Sequence, residues 1–300
     1  MGTEDKDVNR PSIDMVGRKK ARRFILAEHV SAARAVQRAG SAIDSAVEKM
    51  VARLEVAGSR IFYAGAGTSG RQAVADGAEL PPTFGWSEDR VVYCMAGFPA
   101  SLWQSIEGAE DNVDAAQKLV SLYAVNEHDV LIAVAASGTT PFTGECLREA
   151  KKRGALTIGI ANNNSSPILT ESECPIFLDT GSEPIAGSTR MKAGTAQRIV
   201  LNTLSTLVMA DLGYVYHGEM VNVHAKCTKI DTRRVKMVMR LTDCSEERAR
   251  DSLSQADGDV RIAVLLTKGW DLLGAQCLLE ITDEKLGPAL VFHELEQKTK

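Results

Sequence analysis

Five short apolar runs between residues 61 and 178 limit what this chain can fold into more than any other feature of its 300 residues. The runs are Ile61–Ala64, Val91–Met95, Val130–Ala135, Leu156–Ile160 and Pro175–Leu178. Runs of this length suit strands buried on both faces, and segments with helical spacing, such as Asp111–Tyr123 and Pro141–Arg153, separate most of them. This alternation predicts a three-layer α/β fold, in which helices cover both faces of a five-stranded parallel sheet.

The segments on either side of the five runs are predicted to be helical or irregular. Residues 1–20 are polar and indicate a frayed or loosely docked arm, whereas apolar spacing over 21–56 predicts one long helix or two shorter ones. A strongly apolar helix is expected at Ala193–Leu212. Beyond it we expect no strand, but a long helix at Val221–Leu241 and then three short ones. The predicted parts are an arm (1–20), a sheet domain (21–215) and a helical domain (216–300).

Composition and charge narrow the classes of partner. The net charge of −4 and the 5% aromatic content argue against nucleic-acid binding, which needs a positive surplus and stacking platforms. The basic run Arg18–Arg23 is expected to be a solvated helix face. No window approaches the roughly 20 apolar residues of a membrane span, and none of the six cysteines has a C-x-x-C or zinc-type spacing. We therefore expect a cytoplasmic protein with free thiols, no metal and no membrane partner.

A glycine-rich loop, Gly65–Arg71, directly follows the first predicted strand. Its glycines, Gly67 among them, let the backbone approach a ligand, and Thr68 and Ser69 offer hydroxyls where a helix begins. This chemistry suits an anion, most naturally a phosphate. The spacing also matches G-x-G-x-x-G, so a dinucleotide site and a purely structural turn stay open as alternatives. The next strand ends in Met95-Ala96-Gly97, without the acidic residue that would hold a ribose, which weighs against the dinucleotide.

Two further loops carry similar chemistry. Ser137-Gly138-Thr139-Thr140 follows the third apolar run and precedes Pro141, which fits the first turn of a helix. Since this loop and Gly65–Arg71 both follow strands of one parallel sheet, we expect them to open onto one crevice at its carboxyl edge. In the third loop, Gly187–Lys192, Arg190 and Lys192 could supply charge to a bound anion, but an ion pair or a subunit contact explains them equally well.

Spacing alone assigns no role to the acidic residues. Glu79 precedes Leu80-Pro81-Pro82, which is expected to end the helix that begins near Ser69. Glu107 and Glu110 lie in a short stretch before Asp111. Each reads as a surface carboxylate, although two carboxylates in one cleft can divide into acid and base. Of the histidines, His128 and His217 are expected to be exposed, and His224 to be packed or solvated on a helix.

Several of these stretches resemble, in the same order, the N-acetylmuramic acid 6-phosphate etherases of the sugar isomerase (SIS) superfamily. The similar stretches are Gly65–Arg71, Glu79–Gly85, Glu107–Asp111, Ala135–Gly138 with Thr140-Pro141, and Gly187–Gln197. The resemblance covers about residues 60–225, and the helical tail is also similar. It implies the SIS fold, a sugar-phosphate ligand, no metal or organic cofactor, and a homodimer.

The resemblance also implies which residues act. The substrate would be N-acetylmuramic acid 6-phosphate, whose lactyl ether the family cleaves to give N-acetylglucosamine 6-phosphate and D-lactate. Glu79 matches the family's catalytic acid, and Glu110, not Glu107, matches its second catalytic glutamate, for which we hypothesise the role of base. The residues expected to hold the phosphate or the sugar are Gly67, Thr68, Ser69, Ser137, Gly138, Thr139 and Thr140.

Other members of the superfamily provide the alternatives. An aldose–ketose isomerase would use the same loops with a single carboxylate base, and a non-catalytic sugar-phosphate sensor would use the loops alone. Glu79-Leu80-Pro81-Pro82 favours the etherase, because an isomerase has no ether oxygen to protonate. The chain departs from the etherase pattern at Gln72, at Thr139, where the family usually has Arg, and at Lys226-Cys227.

Overall fold

The computed structural model describes residues 2–10, 12–223 and 228–299. The chain divides into two compact units: Met1–Ala78 with Asp89–Thr206, and Glu79–Glu88 with Leu207–Lys300. The first unit contains the five-stranded sheet, and the second is mainly helical. The domain boundaries predicted at residues 20 and 215 stay a prediction, because a compact unit is not necessarily a domain.

Two helices, α1 (Arg18–Arg38) and α2 (Gly40–Leu54), precede the sheet. Of the two predicted arrangements, two shorter helices is therefore the right one. Five of the six residues in the basic run Arg18–Arg23 are exposed on α1, which confirms the predicted solvated face.

The N-terminal arm makes specific contacts at Thr3 and Arg10, whereas Glu4, Asp5, Lys6, Val8 and Asn9 are exposed, so loose docking of the arm stays a prediction. Thr3 is fully buried, and Arg10 Nη1 lies 2.7 Å from Glu28 Oε2 of α1. Individual hydrogen bonds and ion pairs hold this segment, and apolar periodicity carries no information about contacts of that kind.

The sheet has the predicted five strands, all parallel. They are β1 (Ile61–Gly65), β2 (Val91–Met95), β3 (Val130–Ala135), β4 (Leu156–Ala161) and β5 (Cys174–Phe177). Their order is β2-β1-β3-β4-β5, and Gly65 at the end of β1 pairs with Met95 of β2 and Val134 of β3. The three inner strands are buried along their whole length, which is why they appear in the sequence as continuous apolar runs.

Helices cover both faces of the sheet, as predicted. Those of the first unit that follow the first strand are α3 (Gly67–Gly77), α5 (Val113–Leu122), α6 (Pro141–Lys152), α7 (Pro167–Glu171) and α8 (Lys192–Asp211), the last of which continues into the second unit. Phe62 and Leu131 share one core with α5 and α6. Tyr63, the next residue of β1, points to the opposite face, where its hydroxyl donates to Asp76 of α3 at 2.9 Å. The strands thus form the middle layer of a three-layer sandwich.

The second unit corrects two predictions. Its helices are α4 (Leu80–Phe84), α9 (Thr228–Thr242), α10 (Glu246–Gln255), α11 (Val260–Thr267), α12 (Leu272–Ile281) and α13 (Leu286–Thr299). Four helices, not three, follow α9. A two-stranded antiparallel ribbon, β6 (Val215–Tyr216) and β7 (Glu219–Met220), lies where no strand was expected. Residues 221–223 are not helical, and His224, Lys226 and Cys227 lie outside the described residues.

In the described part of the chain, no single helix is long and apolar enough to cross a membrane. By length and composition only, one pair passes that test together: α11 and α12, which are bent by 119° relative to each other.

Candidate active site

The strand order places a switch point between β1 and β3. From β1 the chain runs outward to β2 on one side, and from β3 it runs outward to β4 on the other. Loops leaving two neighbouring strands in opposite directions open a crevice at the carboxyl edge of the sheet, where ligands of α/β proteins bind. The loops at this point are Gly65–Arg71 and Ser137–Pro141, which we call the first and second loops. The sheet therefore brings both predicted anion loops to adjacent strands.

The first loop folds tightly back on its own strand. A Cβ added to Gly65 would lie 2.8 Å from the Cα of Gly70, so the two backbones pack at a distance that side chains do not permit. Between them, Gly67 has a φ of +52° and nothing within 4 Å of an added Cβ. Ala66, the residue before α3, makes no side-chain cap hydrogen bond. The first N–H groups of α3 are thus free of a cap and suited to an anion.

A cleft of about 450 Å³ connects the first loop to one of the predicted glutamates. Its walls include Gly67 and Arg71 on one side and the segment Ile106–Glu110 on the other. Arg71 Nε donates to the carbonyl of Leu102 at 3.1 Å and so holds the chain that leads to this segment. Glu110 follows Gly108 in a short 3-10 turn and is exposed. Gly67 and Glu110 therefore border one cleft within the first unit.

The second loop is held from the side of β4. The backbone N–H groups of Asn162 and Ile168 donate to the carbonyls of Ala136 and Gly138, at 3.0 and 3.2 Å. Asn163 Nδ2 reaches the carbonyl of Ser137, which lies between them, at 3.5 Å.

Beyond these carbonyls the second loop has uncommitted hydroxyls. Ser137 Oγ accepts only from Thr139 N, at 3.2 Å, among the described hydrogen bonds. Thr140 occupies the position before α6 and makes no side-chain cap hydrogen bond. The hydroxyls at this helix start are thus available to a ligand.

The third loop ends beside the first loop, and its two cationic residues differ in burial. A side chain at Gly194, in the first turn of α8, would lie 3.1 Å from Thr68 Cγ2, so α8 begins beside the first loop. Lys192 is only 1% exposed, and its Nζ lies 2.6 Å from Glu28 Oε2. Its ammonium therefore faces this carboxylate, which supports the ion-pair alternative. Arg190 is exposed.

A buried carboxylate, Glu183, caps the start of α8. Its two oxygens accept from Lys192 N and Ala193 N, each at 2.9 Å. Burial raises the pKa of the Glu183 carboxyl above its ordinary value, although the two donors and the charge of Lys192 oppose that shift. Glu183 thus joins the end of the third loop to the start of α8.

Glu79 lies in a different local structure from the one predicted. Helix α3 already ends at Gly77, and Glu79 is the exposed residue before α4, a helix of five residues with proline in its first turn. Pro81 and Pro82 therefore start a short helix in the second unit and do not end α3, because proline fits a first turn where no N–H is needed. The carboxylate stands at a helix N-terminus.

Of the other predicted site residues, Thr139 is exposed, Thr68 is half-buried and Ser69 is buried. His128 and His217 are exposed, as predicted. Within the described residues, no group of three His, Cys, Asp or Glu side chains could hold a metal ion. Asn163 contacts the second loop and Thr3 contacts the third, and neither residue was predicted from the sequence. The run Asn162-Asn163-Asn164 directly follows β4, so the rule that led to the first two loops could have identified Asn163, but nothing in the sequence marks Thr3.

Two protein-family models and several known proteins are similar to this chain. The SIS domain model matches residues 100–207, and the model of the glucokinase regulatory protein N-terminal SIS domain matches residues 42–151. An N-acetylmuramic acid 6-phosphate etherase of Deinococcus radiodurans is 44% identical over 241 residues, which cover 80% of this chain and 79% of that protein. An etherase of the same description from Actinobacillus pleuropneumoniae serotype 7 is 38% identical over 97% of this chain and 96% of its own length.

A solved structure shares the fold of the sheet unit. It is a Bacteroides fragilis protein described as a candidate phosphosugar isomerase involved in capsule formation, with a TM-score of 0.53. The similarity covers 70% of this chain and 98% of the other at 20% identity, so it supports the fold alone.

Proposed function

Because the chain belongs to the N-acetylmuramic acid 6-phosphate etherase family, we propose that Glu110 and Glu79 perform its proton transfers and that the first and second loops hold its substrate. The chain is a carbon–oxygen lyase that cleaves the lactyl ether of N-acetylmuramic acid 6-phosphate. Its products are N-acetylglucosamine 6-phosphate and D-lactate, formed by elimination and subsequent addition of water.

The reaction needs an anion site, a base and an acid. In the open-chain sugar, the C1 aldehyde acidifies the proton on C2, so a carboxylate can remove it. The electron pair then forms the C2–C3 double bond, and the C3–O bond of the ether breaks. The departing oxygen takes a proton from the acid and leaves as the hydroxyl of lactate. Water adds to C3 of the unsaturated aldehyde, and a proton returns to C2.

The phosphate is assigned to the loops at the switch point. Thr68 and Ser69 lie in the first turn of α3, and Ser137 and Thr140 precede α6, so two helix N-termini and their hydroxyls follow the neighbouring strands β1 and β3. A dianionic phosphate gains from both helix dipoles and from charge-assisted hydrogen bonds. No carboxylate belongs to either loop, so nothing in them repels the phosphate.

Glu110 is assigned the role of base, and the observation that carries this assignment is its position in the cleft bordered by Gly67. A sugar whose phosphate contacts the first loop has its carbon chain within this cleft. Glu79 is assigned the role of acid on the family motif, Glu79-Leu80-Pro81-Pro82, alone. An acid is required because a lactate alkoxide is a poor leaving group without a proton.

Two measurements on three variants test these roles. One follows release of D-lactate from N-acetylmuramic acid 6-phosphate, and the other follows exchange of the C2 proton in D₂O. Glu110→Gln should lose both, and Glu79→Gln should lose lactate release while keeping C2 exchange, each loss being about 10²–10⁴-fold for a missing acid or base. Glu107→Gln is the matched control, since Glu107 borders the same cleft but does not match the motif.

The outcomes separate the assignments. Lactate release by Glu79→Gln at the wild-type rate would refute the acid, and C2 exchange by Glu110→Gln at the wild-type rate would refute the base. A loss in Glu107→Gln as large as that in Glu110→Gln would move the base to Glu107.

We also propose that the enzyme is a cytoplasmic homodimer. Leu26 and Val30 are spaced four residues apart on α1 and are 59% and 53% exposed, so they form an apolar strip on one face of the helix. Apolar side chains exposed on one helix face become buried when a second subunit covers them. Sedimentation equilibrium should give about twice the chain mass of 32.3 kDa, and a mass equal to one chain would contradict the dimer.

A further inference from the structure

The third residue of the chain is buried and makes hydrogen bonds through each of its polar atoms. Thr3 N donates to Asn163 Oδ1 at 3.0 Å, Thr3 Oγ1 accepts from Asn163 Nδ2 at 3.2 Å, and Thr3 O accepts from Gly187 N at 3.3 Å. Its side chain is 0% exposed. Terminal residues are usually poorly ordered unless specific contacts tie them down. These contacts join the N-terminal segment to the chain after β4 and to the third loop.

Asn163 extends this connection to the second loop. The same Nδ2 that donates to Thr3 Oγ1 also lies 3.5 Å from the carbonyl of Ser137. An amide nitrogen has two N–H donors, so it can serve both acceptors at once. One side chain therefore links Thr3, and through it Gly187 of the third loop, to the first residue of the second loop.

The contact from Asn163 differs in kind from the others that hold the second loop. The carbonyls of Ala136 and Gly138 accept from the backbone N–H groups of Asn162 and Ile168. Among substitutions of these two donor residues, only proline removes the N–H group. The carbonyl of Ser137 accepts from a side chain. The same peptide is held on its other side by the Gly138 N–H, which donates to the carbonyl of Ala135 at 3.2 Å, so Asn163 is the side-chain contact among these backbone ones.

We propose that Asn163 is a positioning residue for the second loop, and that Thr3 of the N-terminal segment orients the Asn163 amide for this task. The inference rests on the proposed function, in which Ser137–Thr140 holds the sugar phosphate. The N-terminal segment is then a structural part of the substrate site: it sets the geometry of the loop and contacts no reacting atom.

Asn163→Asp tests the link with little change in shape. Aspartate keeps an acceptor for Thr3 N but has no N–H for Ser137, and it places a carboxylate oxygen against that carbonyl. We expect KM for N-acetylmuramic acid 6-phosphate to rise about tenfold, the equivalent of about 1.4 kcal/mol, with kcat changed less than threefold. The inhibition constant of inorganic phosphate should rise in proportion, since the same loop would bind it.

Asn164→Asp is the matched control. It makes the same chemical change one residue further along the chain, where the side chain is exposed and its oxygen accepts only from Ser165 N in the described structure. Both constants should stay within twofold of the wild-type values. Equal values for Asn163→Asp and Asn164→Asp would overturn the inference.

Two Thr3 variants decide the case if Asn163→Asp does not fold. Thr3→Val removes the hydroxyl and should raise KM, whereas Thr3→Ser keeps it and should restore KM to within about twofold. Equal KM values for the valine and serine variants would overturn the role of Thr3.

Thr140→Val separates this inference from the proposed function. If Thr140→Val raises KM while Asn163→Asp does not, the positioning role fails and the substrate site stands. If Thr140→Val also leaves KM unchanged, the placement of the phosphate on the second loop fails.

Discussion

The turn between β1 and α3 offers a test of how closely activity depends on backbone packing. An alanine methyl at Gly65 would lie 2.8 Å from Gly70 Cα, 2.9 Å from Gly70 N and 3.2 Å from Val134 O. All three are backbone atoms, so no side chain can rotate away to make room. Gly65→Ala must therefore move the start of α3, or β3, away from the end of β1.

The size of the displacement follows from these distances. Ordinary contact begins at 3.4 Å, so the Gly65–Gly70 approach must widen from 2.8 Å, by about 0.6 Å. Overpacking of this kind typically costs about 1–3 kcal/mol of unfolding free energy. A displacement of 1 Å in a substrate-positioning element can lower activity about 100-fold, so we expect kcat/KM to fall on the order of tenfold.

Two other glycines serve as controls for Gly65→Ala. Gly40, in the first turn of α2, has nothing within 4 Å of an added Cβ, and Gly40→Ala should stabilise the protein by about 0.4–1 kcal/mol. Gly67 also has open space, but its φ of +52° is unfavourable for alanine, so Gly67→Ala should cost about 1–2 kcal/mol without any collision.

Urea unfolding followed by circular dichroism, together with kcat/KM for N-acetylmuramic acid 6-phosphate, measures both effects. Gly65→Ala should lower the unfolding midpoint and kcat/KM together. If Gly65→Ala behaved like Gly40→Ala in both measurements, the close approach of β1 and α3 would not be what sets the geometry of the first loop.

Two further predictions concern the third loop. Lys192→Met leaves the partly buried Glu28 carboxylate without one of its two cations and should cost about 3 kcal/mol of unfolding free energy. Arg190→Met, at an exposed site, should change the unfolding free energy by less than about 0.5 kcal/mol. Similar urea midpoints for the two variants would refute the buried ion pair. Burial raises the pKa of the Glu183 carboxyl, so the folded state binds its proton more tightly than the unfolded state does. The contribution of Glu183 to stability should therefore fall as pH rises from 4.5 towards the raised pKa, so the wild type should lose stability relative to Glu183→Gln over that range in urea unfolding; parallel curves would contradict it.

The strands could be predicted because burial on both faces leaves a simple signature. Val91–Met95 and Val130–Ala135 are strands over the predicted residues, β1 and β4 each extend one residue further, and β5 is shifted by one residue at both ends. The ribbon of β6 and β7 could not be predicted, because strands of two residues are too short to show a period. The error at Glu79 has a different cause: proline both ends helices and starts them, and Pro81 starts one here.

The loops of the site could be predicted for the same reason as the strands. Once a parallel sheet is inferred, the chain after each strand must lie at one edge, so Thr68 and Ser137 become candidates from their positions alone. The docking of Thr3 could not be inferred in this way. Its partners Asn163 and Gly187 are more than 150 residues away, and hydrogen bonds over such a separation leave no local pattern.

The choice between Glu107 and Glu110 shows how the structure and the family motif contribute to the assignment of the base. The segment Ile106–Ala109 separates two cavities of the first unit. One is the cleft that contains Gly67, and the other, of about 480 Å³, is lined largely by aromatic and aliphatic side chains such as Phe98. Glu107 borders both cavities, whereas Glu110 borders the cleft with the first loop and is not among the residues that line the aromatic cavity. A base that must reach C2 of a sugar whose phosphate lies on the first loop has to face that cleft, and both glutamates border it, so the position allows Glu110 and the motif alone distinguishes it from Glu107.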